Sequence, residues 1–191
     1  MNICVYGAAS STIEKVYIKA GEVLGREMAR RGIGLVFGAG ANGMMGAAAR
    51  GVSAGNGKII GIAPKFFNVD GILYDKCDEL LRPDTMRERK ALLEGLADGF
   101  IVTAGGIGTF DEFFEILTLK QLGQHDKPIV ILNTAGYYDE ILAMLDTAVK
   151  KNFVGAAVSE LFFVTDSVKR AITYIQKYRG KDFDFKKYKN V

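Results

Sequence analysis

Short apolar runs recur along this chain, most of them followed by a small-residue turn and then by apolar residues at helical spacing. The runs are residues 3–6, 34–37, 58–63, 100–103, 129–132 and 161–164. Helical spacing follows over 13–31 (Val16, Ala20, Val23, Leu24, Met28), over 44–54, from Thr85, from Thr109, over 138–151 and over 167–178. Strands this short and this apolar have no wet face, so they belong in a parallel sheet covered by helices on both sides. The pattern predicts a single-domain, Rossmann-like α/β fold over residues 1–178, followed by a basic tail over 179–191. Ligands bind such sheets beyond the carboxyl ends of the strands, which puts the loops after Tyr6, Phe37 and Thr103 on one rim. Residues 65–83 have no clear period and read as a lid or as an interface strand around residues 79–81.

With 191 residues, 49% of them hydrophobic and 25% charged, the chain can build one substantial core. No apolar run approaches the ~20 residues that span a membrane, and the start of the chain has no secretory pattern. Cys4 and Cys77 are too few for a disulfide framework. A cytoplasmic protein without a membrane partner is expected. The net charge of +3 arises at the end of the chain, where residues 177–191 hold six basic and two acidic side chains. The body is slightly acidic, so no nucleic-acid partner is expected. The tail's aromatics would dock on a neighbouring subunit, or the tail is a frayed terminus, which is the commoner case.

Residues 99–115 carry the strongest local signal. A strand over 100–103 runs into Gly105, Gly106 and Gly108, and Thr109 reads as the N-cap of a helix with Phe113, Ile116 and Leu117 inward. Free N–H groups and the positive end of a helix dipole at such a turn accept an anion, most often phosphate. Glu112 has two readings. With Thr109 it spells T-x-x-E, a capping box; otherwise it is a carboxylate set beside a bound phosphate for chemistry. Ser10 and Ser11 cap the next helix or touch phosphate, capping being the commoner use. Residues 38–43 fit G-x-G-x-x-G, but the following strand ends in Ala63-Pro64-Lys65 without the acid that binds a ribose, so a dinucleotide site is not expected. Arg89 and Lys90 lie on a solvated helix face or complete an anion site opposite Glu112. His125 has no His or Cys cluster around it, so it reads as a satisfied loop histidine, and no metal is expected.

Together these residues resemble the LONELY GUY (LOG) family, the cytokinin-activating phosphoribohydrolases long labelled lysine decarboxylases. The likeness runs over residues 3–175. It rests on A-G-G-I-G-T-F-D-E at 104–112 and M-R-E-R-K at 86–90, supported by G-A-G-A-N-G-M-M-G at 38–46, Q-L-G-Q-H-D-K-P at 121–128 and G-Y-Y at 136–138. The resemblance implies hydrolysis of the N-glycosidic bond of N6-substituted adenosine 5′-monophosphate, with Arg89 and Glu112 as the catalytic pair. The expected substrate set is Lys90, Gly105, Gly106, Ile107, Gly108, Thr109, Phe110, Asp111, Thr118, Ser10, Gly40, Gly43 and Met86. It also implies a homodimer, a nucleotide monophosphate as partner, and no cofactor. Three positions depart from the family. Ala104 replaces a proline, Ala39 replaces a glycine and adds a methyl to the nucleotide floor, and Lys65-Phe66-Phe67 follows Pro64 where an acid is common. The competing reading is a non-catalytic nucleotide or cofactor carrier, which would not need Arg89 and Glu112 as a pair. Amino-acid decarboxylation would need a pyridoxal phosphate lysine, and nothing marks one.

Overall fold

The computed structural model describes residues 1–67, 71–180 and Tyr188. The strands are β1 (Asn2–Tyr6), β2 (Gly34–Phe37), β3 (Ile59–Ile62), β4 (Glu79–Leu81), β5 (Gly99–Val102), β6 (Ile129–Leu132) and β7 (Phe163–Thr165). The helices are α1 (Lys15–Arg30), α2 (Gly43–Ala54), α3 (Met86–Gly95), α4 (Ile107–Gln121), α5 (Asp139–Lys150) and α6 (Val168–Lys177). One parallel sheet runs β4-β3-β2-β1-β5-β6-β7. The chain winds outward from β1 to β4, returns, and winds the other way from β5. The strand order therefore reverses between β1 and β5, where Ile3 faces Gly99 and Tyr6 faces Val102. That junction opens a crevice at the carboxyl edge.

Period-two alternation divides each strand between two cores. Ile3, Val5, Leu35, Phe37 and Ile101 pack with Leu24, Met28, Ala48, Val52 and Ile172 of α1, α2 and α6. Cys4, Tyr6, Val36, Phe100 and Val102 pack with Leu93, Phe113, Ile116 and Leu117 of α3 and α4. α1 and α2 meet backbone to backbone, since a side chain at Gly25 would strike the Ala48 carbonyl.

Several boundaries moved. The expected strand over 161–164 begins only at Phe163, behind a 3-10 turn over Ala156–Glu160. Val16 and Val23 stand exposed, whereas the expected Leu24 and Met28 are buried, joined on that stripe by Gly21 and Gly25. Neither Ser10 nor Ser11 caps α1; its N-cap is Glu14, and the Ser10 hydroxyl pairs with Thr12 at 2.9 Å. The strand expected around residues 79–81 is present as β4, at one edge of the sheet. Of the tail beyond Gly180, only Tyr188 falls within the described residues. It is 3% exposed and packs into the α3–α4 core of its own subunit, with its carbonyl accepting from Gln121 Nε2 at 2.8 Å. The chain's own core therefore takes one of the aromatics that would have reached a neighbour. Among the described residues no helix is long and apolar enough to cross a membrane.

Candidate active site

A cavity of about 440 Å³ opens over the β1–β5 junction. Gly7, Ala8, Ala9 and Ser10 after β1, Gly38 and Gly40 after β2, and Gly106, Gly108 and Thr109 at the start of α4 form its floor. α4 begins two residues before the expected cap. Gly106 is its N-cap in extended backbone (φ −97°, ψ −154°), and no side chain caps the helix. Thr109 lies inside the first turn, buried, with its hydroxyl against Gly105. The leading N–H groups of α4 thus have no side-chain acceptor where the helix meets the cavity. A Cβ on Gly106 or Gly108 would meet nothing within 4 Å, and neither glycine has a positive φ. Neither the backbone nor the neighbours demand glycine there, whereas a ligand in contact with the turn would.

Because α4 starts early, Glu112 is turned away from the cap. Its Oε1 accepts from Arg89 Nη1 at 2.7 Å, and both residues are 8% exposed. The capping-box reading is thereby excluded. A true capping box exists one helix earlier, where Thr85 Oγ1 accepts from Glu88 N–H and Glu88 Oε2 accepts from Thr85 N–H. Arg89 reaches across the rim. Its Nε donates to Ile62 O at 3.3 Å at the end of β3, and its Nη2 lies so close to Gly38 that a side chain there would collide with it. The solvated-face reading therefore fails for Arg89. Burial pushes the Glu112 carboxyl above the ordinary carboxylate range, against the pull of the Arg89 guanidinium. Glu112 Oε2 accepts no hydrogen bond from the described residues, leaving it available to a water or a ligand.

The opposite wall is apolar: Met45, Phe67, Ile72, Leu73 and Met86. Met45 comes from α2 and Met86 from α3, and Ile72 and Leu73 come from a segment without periodicity, pinned by hydrogen bonds from Ala41 N–H to Ile72 O and from Tyr74 N–H to Ala39 O, both 2.8 Å. Phe67 lines the cavity, while Phe66 is 60% exposed.

Of the expected site residues, Arg89, Glu112, Gly106, Gly108, Thr109, Ser10, Gly40 and Met86 come together around this cavity. The others do not line it. Gly105 lies beneath Thr109, and Gly43 packs under the Ala8 and Ser10 carbonyls. Ile107 is 82% exposed. Phe110 leans on Tyr138. Lys90 pairs with Asp111 and Glu115, each at 3.1 Å, and so cross-links α3 to α4. Thr118 is exposed farther along α4. The extra methyl of Ala39 is not on the nucleotide floor either. Ala39 is fully buried beside Gly61 with φ 58°. His125 is satisfied: Nδ1 accepts from Lys127 N–H at 3.1 Å, so Nε2 donates to Ile116 O at 2.8 Å. Residues that sequence reasoning did not single out are Met45, Ile72 and Leu73; their apolar character gave no signal apart from that of core. A larger groove of about 570 Å³ runs along α6, but none of its lining residues is a carboxylate.

A cavity at a free helix terminus on the carboxyl edge of the sheet, with a buried acid–guanidinium pair beside it, marks a Rossmann-like protein of the nucleotide-accepting class. Comparison with known proteins narrows that class. The family described as "Possible lysine decarboxylase" matches residues 45–175. Cytokinin riboside 5'-monophosphate phosphoribohydrolase LOG2 of Arabidopsis thaliana is 34% identical over 183 residues, covering 96% of this chain and 86% of that protein. The LOG protein of Oryza sativa subsp. japonica is 34% identical, over 92% of this chain and 73% of that one. The chain belongs to the LOG family. The fold also matches the molybdenum cofactor binding protein of Rippkaea orientalis, with a TM-score of 0.71 at 22% identity, over 92% of this chain and 94% of that one.

Proposed function

We propose that the chain hydrolyses the N-glycosidic bond of N6-substituted adenosine 5′-monophosphate, releasing the free base and ribose 5-phosphate. The observation that carries this is the buried Arg89–Glu112 pair at 2.7 Å beside the free N-terminus of α4. In this reading the 5′-phosphate sits on the N–H groups of Gly106, Ile107 and Gly108, and the ribose lies over the glycine floor. The base and its N6 substituent lie against Met45, Phe67, Ile72, Leu73 and Met86. Anchoring the phosphate holds C1′ near Glu112, which supplies orientation. Cleavage leaves positive charge on the sugar ring, and the Glu112 carboxylate stabilises it. Glu112 Oε2 takes the proton of the attacking water as its hydroxyl bonds to C1′. The electrons of the broken bond stay on the base, which takes a proton from solvent as it leaves, and Glu112 returns the proton it gained to solvent. Arg89 remains charged throughout; it orients Glu112 and favours its ionised form against the burial that opposes it.

A carrier would bind nucleotide here without turnover, and for that task a buried acid with a free oxygen only adds repulsion toward phosphate. The test is base release. The full chain is incubated separately with AMP and with N6-isopentenyl-AMP, and free base is quantified by chromatography. Release from the prenylated nucleotide supports the reading; tight binding without release from either nucleotide overturns it in favour of a carrier. We take the reaction to be cytoplasmic, where the free Cys4 and Cys77 stay reduced. We take the unit to be a homodimer paired through the outer face of α4, where Phe114 and Leu122 stand 41% and 37% exposed on either side of Thr118. Light scattering at the monomer mass would contradict that pairing.

A further inference from the structure

Tyr137 does not line the cavity, yet it holds the turn that does. After β6, Asn133 folds the chain back on itself. Its Oδ1 accepts from Tyr138 N–H at 2.8 Å, and its Nδ2 donates to Asp139 Oδ1 at 2.7 Å. Between these two anchors, Ala135 (φ 55°) and Gly136 (φ 72°) are both left-handed, a strained conformation for alanine. The turn delivers two consecutive tyrosine hydroxyls to the segment after β5. Tyr138 donates to Thr103 O at 2.7 Å, and Tyr137 donates to Gly105 O at 2.6 Å.

The second bond bears on the site. The Gly105 carbonyl and the Gly106 N–H belong to one planar peptide, in which C=O and N–H point in opposite directions. Fixing the carbonyl on Tyr137 therefore fixes the direction of the Gly106 N–H, and Gly106 is one of the residues that line the cavity. Gly106 has no side chain to hold it, no side-chain cap, and nothing within 4 Å of where a Cβ would stand. Without the tyrosine, rotation of this peptide meets little resistance. A hydrogen bond on the carbonyl also polarises the peptide and strengthens the N–H as a donor. The geometry points to Tyr137 as a positioning residue whose hydroxyl aims the Gly106 N–H at the substrate's phosphate. This rests on the reading that the phosphate sits at the start of α4.

The ring of Tyr137 is held separately, edge-on to Tyr17 at 5.7 Å and against Tyr138 at 5.2 Å. Tyr137→Phe therefore keeps the packing and removes only the hydroxyl. Calorimetric titration of the full chain and of this variant with AMP, and with adenosine as the probe lacking phosphate, tests the assignment. The variant should bind AMP roughly five- to tenfold more weakly, with adenosine binding unchanged and, in turnover, a raised KM at a similar kcat. Equal weakening for AMP and adenosine would mean a general structural role and overturn the proposal. Unchanged AMP binding would overturn it while leaving the phosphate site intact. If the unaltered chain binds AMP no better than adenosine, the phosphate reading fails and the proposal falls with it.

Discussion

Gly108→Ala separates what the fold needs from what a ligand needs. Gly108 lies in the first turn of α4, lines the cavity, and has nothing within 4 Å of a built Cβ. Alanine in a helix is more stable than glycine by about 0.5–1 kcal/mol, and no contact in the structure opposes that gain. In a chain of this size the change corresponds to a Tm rise of about 1–4 °C. Cα–Cβ bonds in a helix lean toward its N-terminus, so the new methyl projects in front of the free N–H groups. A phosphate oxygen must approach those groups to about 2.9 Å. Losing one hydrogen bond to a charged group costs about 1.5–3 kcal/mol, which is roughly ten- to hundredfold in nucleotide affinity. Scanning calorimetry and nucleotide titration of the same preparation give both quantities. A higher Tm with unchanged affinity would refute the placement of the phosphate on this turn. A Tm lowered by several degrees would refute the openness of the position.

Two further outcomes follow from the structure. Burial holds the His125 imidazole below its ordinary value of 6.5, and the neighbouring Lys120 and Lys127 push the same way. The unfolded chain therefore binds this proton more readily than the folded one. The stability that His125 contributes is complete above pH 6.5 and is lost as the pH falls below it; thermal melts from pH 8 to 5 should fall less steeply for His125→Gln, and parallel curves would contradict this. Ala39→Gly relieves a left-handed alanine, worth about 1 kcal/mol, and gives up one buried methyl, worth about 0.8 kcal/mol; Tm should change by no more than a few degrees and nucleotide KM not at all, and a shifted KM would put the methyl back in the site.

The strands were legible because a two-sided core forces nearly every strand residue to be apolar. Residues 34–37 and 129–132 match β2 and β6 residue for residue. The start of α4 was misread because threonine is a good cap and glycine an ambiguous one; the helix instead begins at a bare turn facing the cavity. The two T-x-x-E spellings show the limit plainly. Thr85–Glu88 is a capping box, whereas in Thr109–Glu112 the carboxylate turns to Arg89, 23 positions away in sequence. Local spacing is the same in both, and only the packing of α3 beside α4 separates them. The part of the apolar wall made by Ile72 and Leu73 was illegible for another reason. It is held by two loop hydrogen bonds that make a single bridge between Gly40 and Leu73, which leaves no periodic mark. The path of Tyr188 into its own core likewise depends on what the α3–α4 face leaves open.

The central claim is that Glu112 acts on bound nucleotide and does not merely brace Arg89. Glu112→Gln keeps the shape and an oxygen that accepts from Arg89, but it removes the charge and the base. Release of free base from N6-isopentenyl-AMP, measured by chromatography beside calorimetric binding of the same nucleotide, decides the matter. The account predicts that release falls by at least about a hundredfold, the scale of a positioned general base, while binding stays within a few-fold. Release near that of the unaltered chain, with binding intact, would contradict it.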